Sequence, residues 1–315
     1  MKKRNQNSYT GGGGRKNGPR VRLDNATPTK AARRNPFQIK VNRKNSLLLH
    51  ERLVTKLPNV SLFSPAWFLF VFEHYWYDDV EKRLVEIDGR VANETRTLCP
   101  PAHRIWRWAE LIPDPMDVRV VIVGQDPHTR VTADGTPMAD GLAFSVSREY
   151  YSRVKTLPPS LVNVLNAVRK VPVFRGDGVN EALKSEVLEG DLQHWSRQGV
   201  LLLNDVLTAP GTSGCANSHR DFGWNYVTDA VVRRLGEHRM PHRVFFMLWG
   251  RFAQESKEHL ISCTDRGRGG VKHRVFKSHH PSPLAVNRMG EFDYEQFALC
   301  NKLLEKDGLQ PVQWV

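Results

Sequence analysis

Three polar side chains that can take part in chemistry stand directly after apolar runs of the sequence. Asp126 follows a run that ends at Gly124, Asn204 closes a run of leucines, and His280 follows a third run. A carboxylate, an amide and an imidazole can hydrogen-bond a substrate and exchange protons with it. Taken singly, each also has a structural interpretation, as a helix cap, a turn residue or a buried core histidine. Only their joint placement would favour a functional site.

The apolar runs that precede these residues predict strands. They are short and rich in β-branched and aromatic residues, and they comprise Val118–Val123, Val200–Leu203, Val244–Leu248 and Val275–Lys277. Runs of this kind are typical of parallel strands buried on both faces. With helical patterns between them, they predict an α/β fold with a central four-stranded, parallel, twisted sheet flanked by helices. Sites in such sheets form at the carboxyl ends of the strands.

Several helices are predicted around this sheet. An aromatic stretch from Trp67 to Tyr77 indicates a buried helix before the charged stretch Asp78 to Arg83, and its rings are interpreted as core rather than as a base-stacking platform. Leu161 to Val168 follows the predicted cap Ser160. Further helical patterns follow Trp224 and begin at Tyr294.

Further motifs occur in a fixed order with these residues. They are Gly124-Gln125-Asp126-Pro127, Gly141 to Val146, Pro158-Pro159-Ser160-Leu161, Asn204, Ser218-His219 followed by Gly223-Trp224, Leu248-Trp249-Gly250, and His279-His280-Pro281-Ser282-Pro283-Leu284. In this combination the sequence resembles uracil-DNA glycosylases from about Ile105 to Trp314, and most of all the herpesvirus branch of that family. The resemblance implies a monofunctional enzyme of base excision repair or viral DNA replication that uses no metal or cofactor.

The resemblance implies roles for the polar residues. Breaking the bond between sugar and uracil creates positive charge on the sugar and negative charge on the base. Asp126 matches the carboxylate that positions water and faces the sugar cation. His280 matches the histidine that donates to uracil O2 in its neutral form. Asn204 matches the amide that pairs with O4 and N3–H of uracil, a pattern that cytosine does not offer.

Other positions match residues that hold the base and the DNA. Phe144 matches the aromatic ring that stacks on the flipped base, and Gln125 a residue whose loop backbone binds uracil. Leu284 matches the side chain that fills the vacated base stack from the minor groove. The turns containing Pro158, Pro159, Ser160, Ser282 and Pro283 match segments that grip the DNA backbone. His219 is interpreted either as a further DNA contact or as a residue that stabilises its turn.

The sequence departs from the family pattern in three places. His128-Thr129 stands where the family usually has Tyr-His, and the stretch from there to Gly141 is longer. The tyrosine crowds C5 of uracil in the family, so thymine exclusion here depends on the bulk of His128. Ala285 replaces a common serine, which removes one hydroxyl contact to phosphate. The segment from Phe174 to Gly190 is extended, and a partner can dock there.

Charge is concentrated at the amino terminus. Residues 1–45 hold 13 Lys/Arg and one acid, Asp24, whereas residues 46–315 hold 33 Lys/Arg and 32 Asp/Glu. We expect 1–45 to be a disordered basic tail that serves nuclear import, in the host nucleus if the protein is viral, and nonspecific DNA attraction, with a solubilising tail as the alternative. Residues 46–315 are expected to form a single catalytic domain, monomeric by default.

Composition also argues against several classes of protein. The scattered Cys99, Cys215, Cys263 and Cys300 form no metal-binding or disulfide pattern. No apolar run approaches the roughly 20 residues that cross a bilayer, and the amino terminus is unlike a signal peptide, so we expect an intracellular protein without a membrane partner.

The sequence leaves two hypotheses about function open. The first is a glycosylase acting on single- or double-stranded uracil-containing DNA, with viral replication proteins as further partners. The alternative is a DNA-binding replication scaffold on the same fold with weakened catalysis, which the change at His128-Thr129 motivates. A glycosylase with lyase activity needs an amine nucleophile, and the matched motifs contain no lysine.

Overall fold

The described residues begin nearer the amino terminus than the boundary that the sequence predicts for the catalytic domain. The computed structural model describes residues 39–171, 190–237, 240–261 and 272–315. The compact unit runs from Ile39 to Val315. Residues 39–45, assigned above to the tail, belong to this unit: the Val41 side chain is fully buried, and its backbone N–H donates to Tyr75 at 2.9 Å. The remainder of the predicted tail lies outside the described residues.

The central sheet has the predicted architecture. Its strands are β2 (Val120–Gly124), β3 (Val200–Asn204), β5 (Phe245–Trp249) and β6 (Arg274–Ser278). They pair in the order β3-β2-β5-β6, and every pair is parallel. Every residue of β2, β3 and β5 is buried, as the unbroken apolar runs predict. A second, two-stranded antiparallel sheet joins β1 (Leu98–Cys99) to β4 (Ala209–Pro210).

Helices surround the central sheet. In the described part of the chain they are α1 (Ser46–Lys56), α2 (Pro65–Phe72), α3 (Tyr77–Ala92), α4 (Arg107–Glu110), α5 (Arg148–Val154), α6 (Pro159–Val168), α7 (Gln193–Arg197), α8 (Asn225–Gly236), α9 (Gly250–Lys257), α10 (Pro283–Met289) and α11 (Glu295–Lys306). Short 3₁₀ turns lie at Ala102–Arg104, Pro115–Asp117, Arg220–Phe222 and Glu258–Leu260. This arrangement confirms the predicted α/β class. None of the helices in the described ranges is long and apolar enough to cross a membrane.

The aromatic stretch is part of the core, as predicted, but it is not one helix. Helix α2 ends at Phe72, and the chain turns through His74, whose φ is +76°. It then pairs Trp76 with Lys40 in an isolated bridge before α3 begins. The charged stretch from Asp78 therefore lies within α3, where its two aspartates occupy the first turn. Acidic residues there stabilise the helix amino terminus.

The predicted helix starts need one correction. Helix α6 begins at Pro159 with Pro158 as its cap, so Ser160 lies inside the first turn and is not the cap. Proline suits this position because its missing N–H would have no partner in the first turn. The helices after Trp224 and Tyr294 begin one residue later, at Asn225 and Glu295.

Two sequence predictions fall partly outside the described residues. The segment predicted to be extended from Phe174 is described only at its end, Gly190. Cys99, Cys215 and Cys300 are free thiols, and Cys263 lies outside the described ranges.

Candidate active site at the carboxyl edge of the sheet

The parallel register brings the carboxyl ends of the strands to one edge. Gly124 is aligned with Asn204, and Trp249 is aligned with Ser278. The loops that leave these positions carry Asp126 and His280, while Asn204 is itself a strand end. The three residues singled out by the sequence therefore lie at the same end of the sheet, Asn204 beside the loop that follows β2 and His280 in the loop that follows β6.

Asp126 is held in a tight loop after β2. The N–H of Asp205 donates to the Gly124 carbonyl and that of Val206 to the Gln125 carbonyl, both at 3.0 Å, so this loop is fixed to the end of β3. The Asp126 carboxylate accepts from the backbone N–H of Asn217 at 2.6 Å. Burial raises the pKa of Asp126, and the bond from Asn217 opposes that effect.

Asn204 lies against the end of the neighbouring strand. Only 6% of its surface is exposed. A Cβ atom on Gly124 would approach the Asn204 Oδ1 atom to 2.2 Å and the Ala143 Cβ atom to 3.0 Å. Glycine at position 124 therefore makes room for the amide, which lies beside the Gln125–Asp126 loop and the segment that carries Phe144.

His280 has one ring nitrogen occupied and the other left for a ligand. Its Nδ1 atom accepts from the Ser282 backbone N–H at 3.0 Å. In the neutral ring the proton is therefore on Nε2, which can donate. Burial, with a contribution from His279, lowers the pKa of His280 and favours this neutral form. Gly250, with φ at +80°, lies against the ring, since a Cβ there would be 2.9 Å from the His280 Cβ.

Phe144 lies near both Trp249 and His280. Its ring centroid lies 5.1 Å from that of Trp249 and 6.2 Å from that of His280. Its φ of +66° is uncommon for a residue with a side chain. The neighbouring Ala143 N–H donates to the Leu202 carbonyl at 3.1 Å, so the segment is anchored to β3. Strained backbone that the surrounding structure holds in place is frequent at functional sites.

His128 lies beside Phe144 and is not charged at neutral pH. Burial lowers the pKa of His128 to about 4, an effect that the Phe144 backbone opposes. Its Nε2 atom is buried and has no hydrogen-bond partner among the described residues. The residue in this position is therefore a neutral imidazole with one unpartnered buried nitrogen among the described residues.

The segments expected to grip DNA lie next to each other. The Asn163 side chain on α6 donates to the Pro281 carbonyl at 2.8 Å, which joins the Pro158–Ser160 turn to the His280–Ser282 turn. Ser282 occupies the position before α10 without a capping bond from its side chain, and Pro283 is the first residue of the helix. The Leu284 side chain that follows is 82% exposed although apolar. Sequence reasoning missed Asn163, because no local pattern marks a bond across such a distance in the chain.

His219 does not present its ring to solvent. The ring is 1% exposed, and its nitrogens bond Thr208 Oγ1 and Glu94 Oε2, each at 2.9 Å. It also stacks on Phe222 with ring centroids 3.9 Å apart. A direct contact between this side chain and DNA is therefore not supported, and the alternative interpretation, that it stabilises the turn carrying Asn217, is favoured.

A metal centre is not evident at this edge. In the described ranges, no group of three or more His, Cys, Asp or Glu residues is arranged to hold a metal ion. The arrangement offers a carboxylate, a neutral imidazole donor and an amide at one end of the sheet, with Phe144 near the imidazole.

Comparison with known proteins identifies the family. Residues 112–305 match the model of the uracil DNA glycosylase superfamily. The chain is 38% identical over 232 residues to a human uracil-DNA glycosylase, a match that covers 73% of this chain and 64% of the human protein. A uracil-DNA glycosylase of Acinetobacter baumannii is 37% identical over 223 residues, covering 70% of this chain and 78% of that protein.

A solved structure supports the same fold. The mimivirus uracil-DNA glycosylase superimposes with a TM-score of 0.60 at 22% sequence identity, over 87% of this chain and 90% of that one. With the family match spanning more than half of the sequence, the chain belongs to the uracil-DNA glycosylase superfamily.

Proposed function

We propose that this protein is a monofunctional uracil-DNA glycosylase. It flips deoxyuridine out of DNA and hydrolyses the bond between C1′ of the sugar and N1 of uracil, giving free uracil and an abasic site. The observation that carries the proposal is the placement of Asp126 and His280 in the loops that follow β2 and β6, at the same end of the parallel sheet. The first is held by the Asn217 N–H, and the second has its Nε2 proton free to donate.

The two residues act on the two charges that form as the bond breaks. Positive charge develops on the sugar, and the Asp126 carboxylate stabilises it and orients the attacking water. Negative charge develops on the base, and the neutral His280 donates from Nε2 to uracil O2. The hydroxyl of water bonds to C1′, the bonding electrons leave with N1, and the proton of water ends on the departing base.

Asn204 selects the base. Its side-chain amide donates to uracil O4 and accepts from N3–H, and the close approach to Gly124 fixes where the amide lies. Cytosine has an amino group at position 4 and no proton on N3, so it would leave both amide groups unpaired. Unpaired buried polar groups are costly, and selectivity therefore follows from hydrogen bonding.

Base flipping uses the aromatic and apolar residues. Phe144 stacks on the extracted base, next to Trp249 and His280. Gln125 contributes its loop backbone to the base pocket. The exposed Leu284 enters the stack from which the base has left, which offsets the loss of base stacking. The DNA backbone is gripped on either side by two turns, which contain Pro158, Pro159, Ser160, Ser282 and Pro283. The bond from Asn163 to Pro281 holds these two turns next to each other.

The branch of the family, the protein partners and the location are inferred from the sequence alone. We infer a herpesvirus-type enzyme from the order and spacing of its motifs, with viral replication proteins as partners and the host nucleus as its location. The basic clusters Lys2-Lys3-Arg4 and Arg33-Arg34 support import into a nucleus. Imaging of a fluorescent fusion tests this directly, since exclusion from the nucleus would contradict it.

Release of uracil from an oligonucleotide tests the activity. In EDTA, the protein should release uracil from uracil-containing DNA, and Asp126→Asn should lower the single-turnover rate by about 100-fold or more, since it removes the charge that faces the sugar cation. Asp78→Asn, an exposed acid on α3, is the matched control and should be unchanged.

Two outcomes would contradict the proposal. Near-normal turnover by Asp126→Asn would remove the residue from the mechanism. DNA binding without any release of uracil would favour the alternative of a replication scaffold with weakened catalysis.

A further inference from the structure

A series of buried hydrogen bonds leads to the turn that contacts Asp126. Asn217 in this turn donates its backbone N–H to the Asp126 carboxylate at 2.6 Å. The turn is otherwise exposed, and between residues 212 and 220 His219 is the only buried residue. Asn217 has a φ of +65°, a left-handed conformation that other contacts must hold in a residue with a side chain. The anchor available to hold it is His219.

His219 is fixed through both of its ring nitrogens. Nδ1 is 2.9 Å from Thr208 Oγ1, and Nε2 is 2.9 Å from Glu94 Oε2. The Glu94 side chain is 7% exposed. Hydrogen bonds from Arg96, with a smaller contribution from His219, lower the pKa of Glu94 to about 2. Glu94 is therefore a carboxylate at neutral pH and can only accept hydrogen bonds.

The direction of each bond follows from this carboxylate. His219 Nε2 must carry the proton that Glu94 accepts. Burial lowers the pKa of His219, so the ring is neutral at pH 7 and its Nδ1 atom is an acceptor. The Thr208 hydroxyl then donates to Nδ1 and accepts from Trp224 Nε1 at 2.7 Å. The bonds thus run in one direction, from Trp224 through Thr208 and His219 to Glu94.

The bond at the exposed end of this series acts on the charge of Asp126. The pKa of Asp126 is raised by burial and lowered by the Asn217 N–H, and no charged side chain of the described residues contributes to it. The histidines in its own loop and in the turn, His128 and His219, are neutral at pH 7. A shift of the turn by about 1 Å would break the bond from Asn217. The ionised form of Asp126 therefore depends on where the turn lies.

We propose that Glu94 is a positioning residue for uracil excision. Through His219 it keeps the Asn217 N–H on the Asp126 carboxylate, so that this carboxylate stays charged where it faces the sugar cation. The proposal deepens the proposed function and rests on it. Glu94 does this without contacting the base, the sugar or the attacking water.

This role and a direct effect of the Glu94 charge have opposite signs. Glu94→Ala removes a negative charge, and through space that loss alone would lower the pKa of Asp126. Loss of the Asn217 bond would instead raise the pKa of Asp126, because the bond favours the charged form. A rise in the pH at which activity is half lost therefore indicates positioning.

Single-turnover release of uracil from pH 4 to 9, measured in a His280→Gln background, tests the proposal. Glutamine keeps an N–H donor at position 280 but does not titrate, so of the two proposed catalytic groups only Asp126 changes its charge. Glu94→Ala should raise the midpoint of the acid limb by about one pH unit, as expected when a hydrogen bond to a charged group is weakened. A midpoint that is unchanged or lowered in the folded variant would overturn the proposal.

Two variants are matched controls for Glu94→Ala. Glu94→Gln keeps an oxygen that accepts from His219 Nε2, and it should restore the midpoint of the parent. Arg96→Gln removes the guanidinium that donates to both Glu94 oxygens but leaves the acceptor for His219, and it should not change the midpoint. An equal rise in Glu94→Gln, Arg96→Gln and Glu94→Ala would overturn the proposal, because loss of the ion pair would explain it.

His219→Phe tests the same series of bonds from the other side. Phenylalanine can keep the stacking on Phe222 but removes both hydrogen bonds of the ring. It should raise the midpoint as Glu94→Ala does, and the double variant should show no larger rise than either single one, since both changes act through one path. Additive rises, or an unchanged midpoint in folded His219→Phe, would overturn the proposal even if Glu94→Ala does not fold.

The wild-type protein separates this proposal from the proposed function. Release of uracil by the wild type, with no rise of the midpoint in the variants, would overturn the role of Glu94 and leave the glycosylase intact. No release of uracil by the wild type would overturn the proposed function itself.

Discussion

Burial acts in opposite ways on the two side chains that we propose to be catalytic. It favours the neutral form of each group, so it raises the pKa of Asp126 and lowers the pKa of His280. For His280 the neutral form is the useful one, since a proton on Nδ1 would compete with the bond from Ser282. For Asp126 the charged form is the useful one, and the Asn217 N–H partly restores it. Keeping Asp126 ionised in this buried position therefore costs free energy.

The pH dependence of the rate follows from these shifts. Asp126 works ionised, above its raised pKa, and His280 works neutral, above its lowered pKa. Both groups therefore lower the rate only as the pH falls, with a midpoint above the ordinary aspartate value of about 3.8. Single-turnover rates from pH 4 to 9, with DNA binding measured at each pH, check this. A rate that falls as the pH rises across this range would contradict it.

A glycine at the sheet edge controls the position of His280. Gly250 has a φ of +80°, and an added Cβ would come within 2.9 Å of the His280 Cβ. Gly250→Ala should cost about 1 to 2 kcal/mol of stability from the left-handed backbone and should also lower kcat about ten-fold, because the imidazole is displaced. Thermal unfolding and single-turnover kinetics measure the two effects.

Gly308 offers a matched control for that substitution. Its φ of +76° is similar, but nothing lies within 4 Å of the position that a Cβ would take. Gly308→Ala should therefore lose similar stability and keep its kcat. Equal losses of kcat in the two variants would show that strain alone, rather than contact with His280, explains the effect.

At the scale of elements, the strands and their ends could be predicted and the links between loops could not. Buried parallel strands appear as unbroken apolar runs, so β2, β3, β5 and β6 were each located to within two residues. The site residues follow those runs, and their identities match family motifs. The bonds from Asn163 to Pro281 and from Asn217 to Asp126 join distant segments, and no local pattern in the sequence indicates them.

The end of α2 was mispredicted for a related reason. The aromatic run continues past Phe72, and neither glycine nor proline marks the end of the helix. The chain leaves the helix because Trp76 pairs with Lys40 and Val41 bonds Tyr75. These contacts involve residues that the sequence assigned to a tail, so a tertiary interaction overrode the local pattern.

Helix α10 presents a largely exposed apolar side chain, which the proposed insertion into DNA would bury. Leu284 in its first turn is 82% exposed. If it fills the vacated base stack, Leu284→Ala loses the burial of a large apolar side chain, worth about 1.5 to 3 kcal/mol, or roughly 10- to 100-fold in kcat/KM on duplex DNA. The loss on single-stranded DNA should be smaller, since there is less stacking to replace.

Met289 provides the control for this helix. It lies at the other end of α10, and its side chain is 59% exposed. Met289→Ala should lower excision from duplex DNA much less than Leu284→Ala does. An equal loss in the two variants, or an equal loss for Leu284→Ala on single and double strands, would argue against insertion into the base stack.

For the whole molecule, charge and catalytic chemistry are separated along the chain. Residues 1–38 carry ten Lys/Arg and one acid, whereas the compact unit from Ile39 onward contains every residue assigned to the site. Affinity for a polyanion depends on the number of phosphates neutralised, and selection of the base depends on the pocket. Changing the basic residues should therefore alter DNA affinity and leave the rate of the bound complex unchanged.

The salt dependence of binding and catalysis tests this separation. A variant with Lys2, Lys3, Arg4, Arg33 and Arg34 changed to glutamine should bind duplex DNA more weakly at low salt. The slope of log affinity against log salt should fall by up to about 4.5, since each lost phosphate contact contributes about 0.9. Single-turnover release of uracil at saturating DNA should match the wild type, and the two affinities should converge at high salt. An unchanged slope would indicate that these basic residues do not contact DNA and serve only import or solubility.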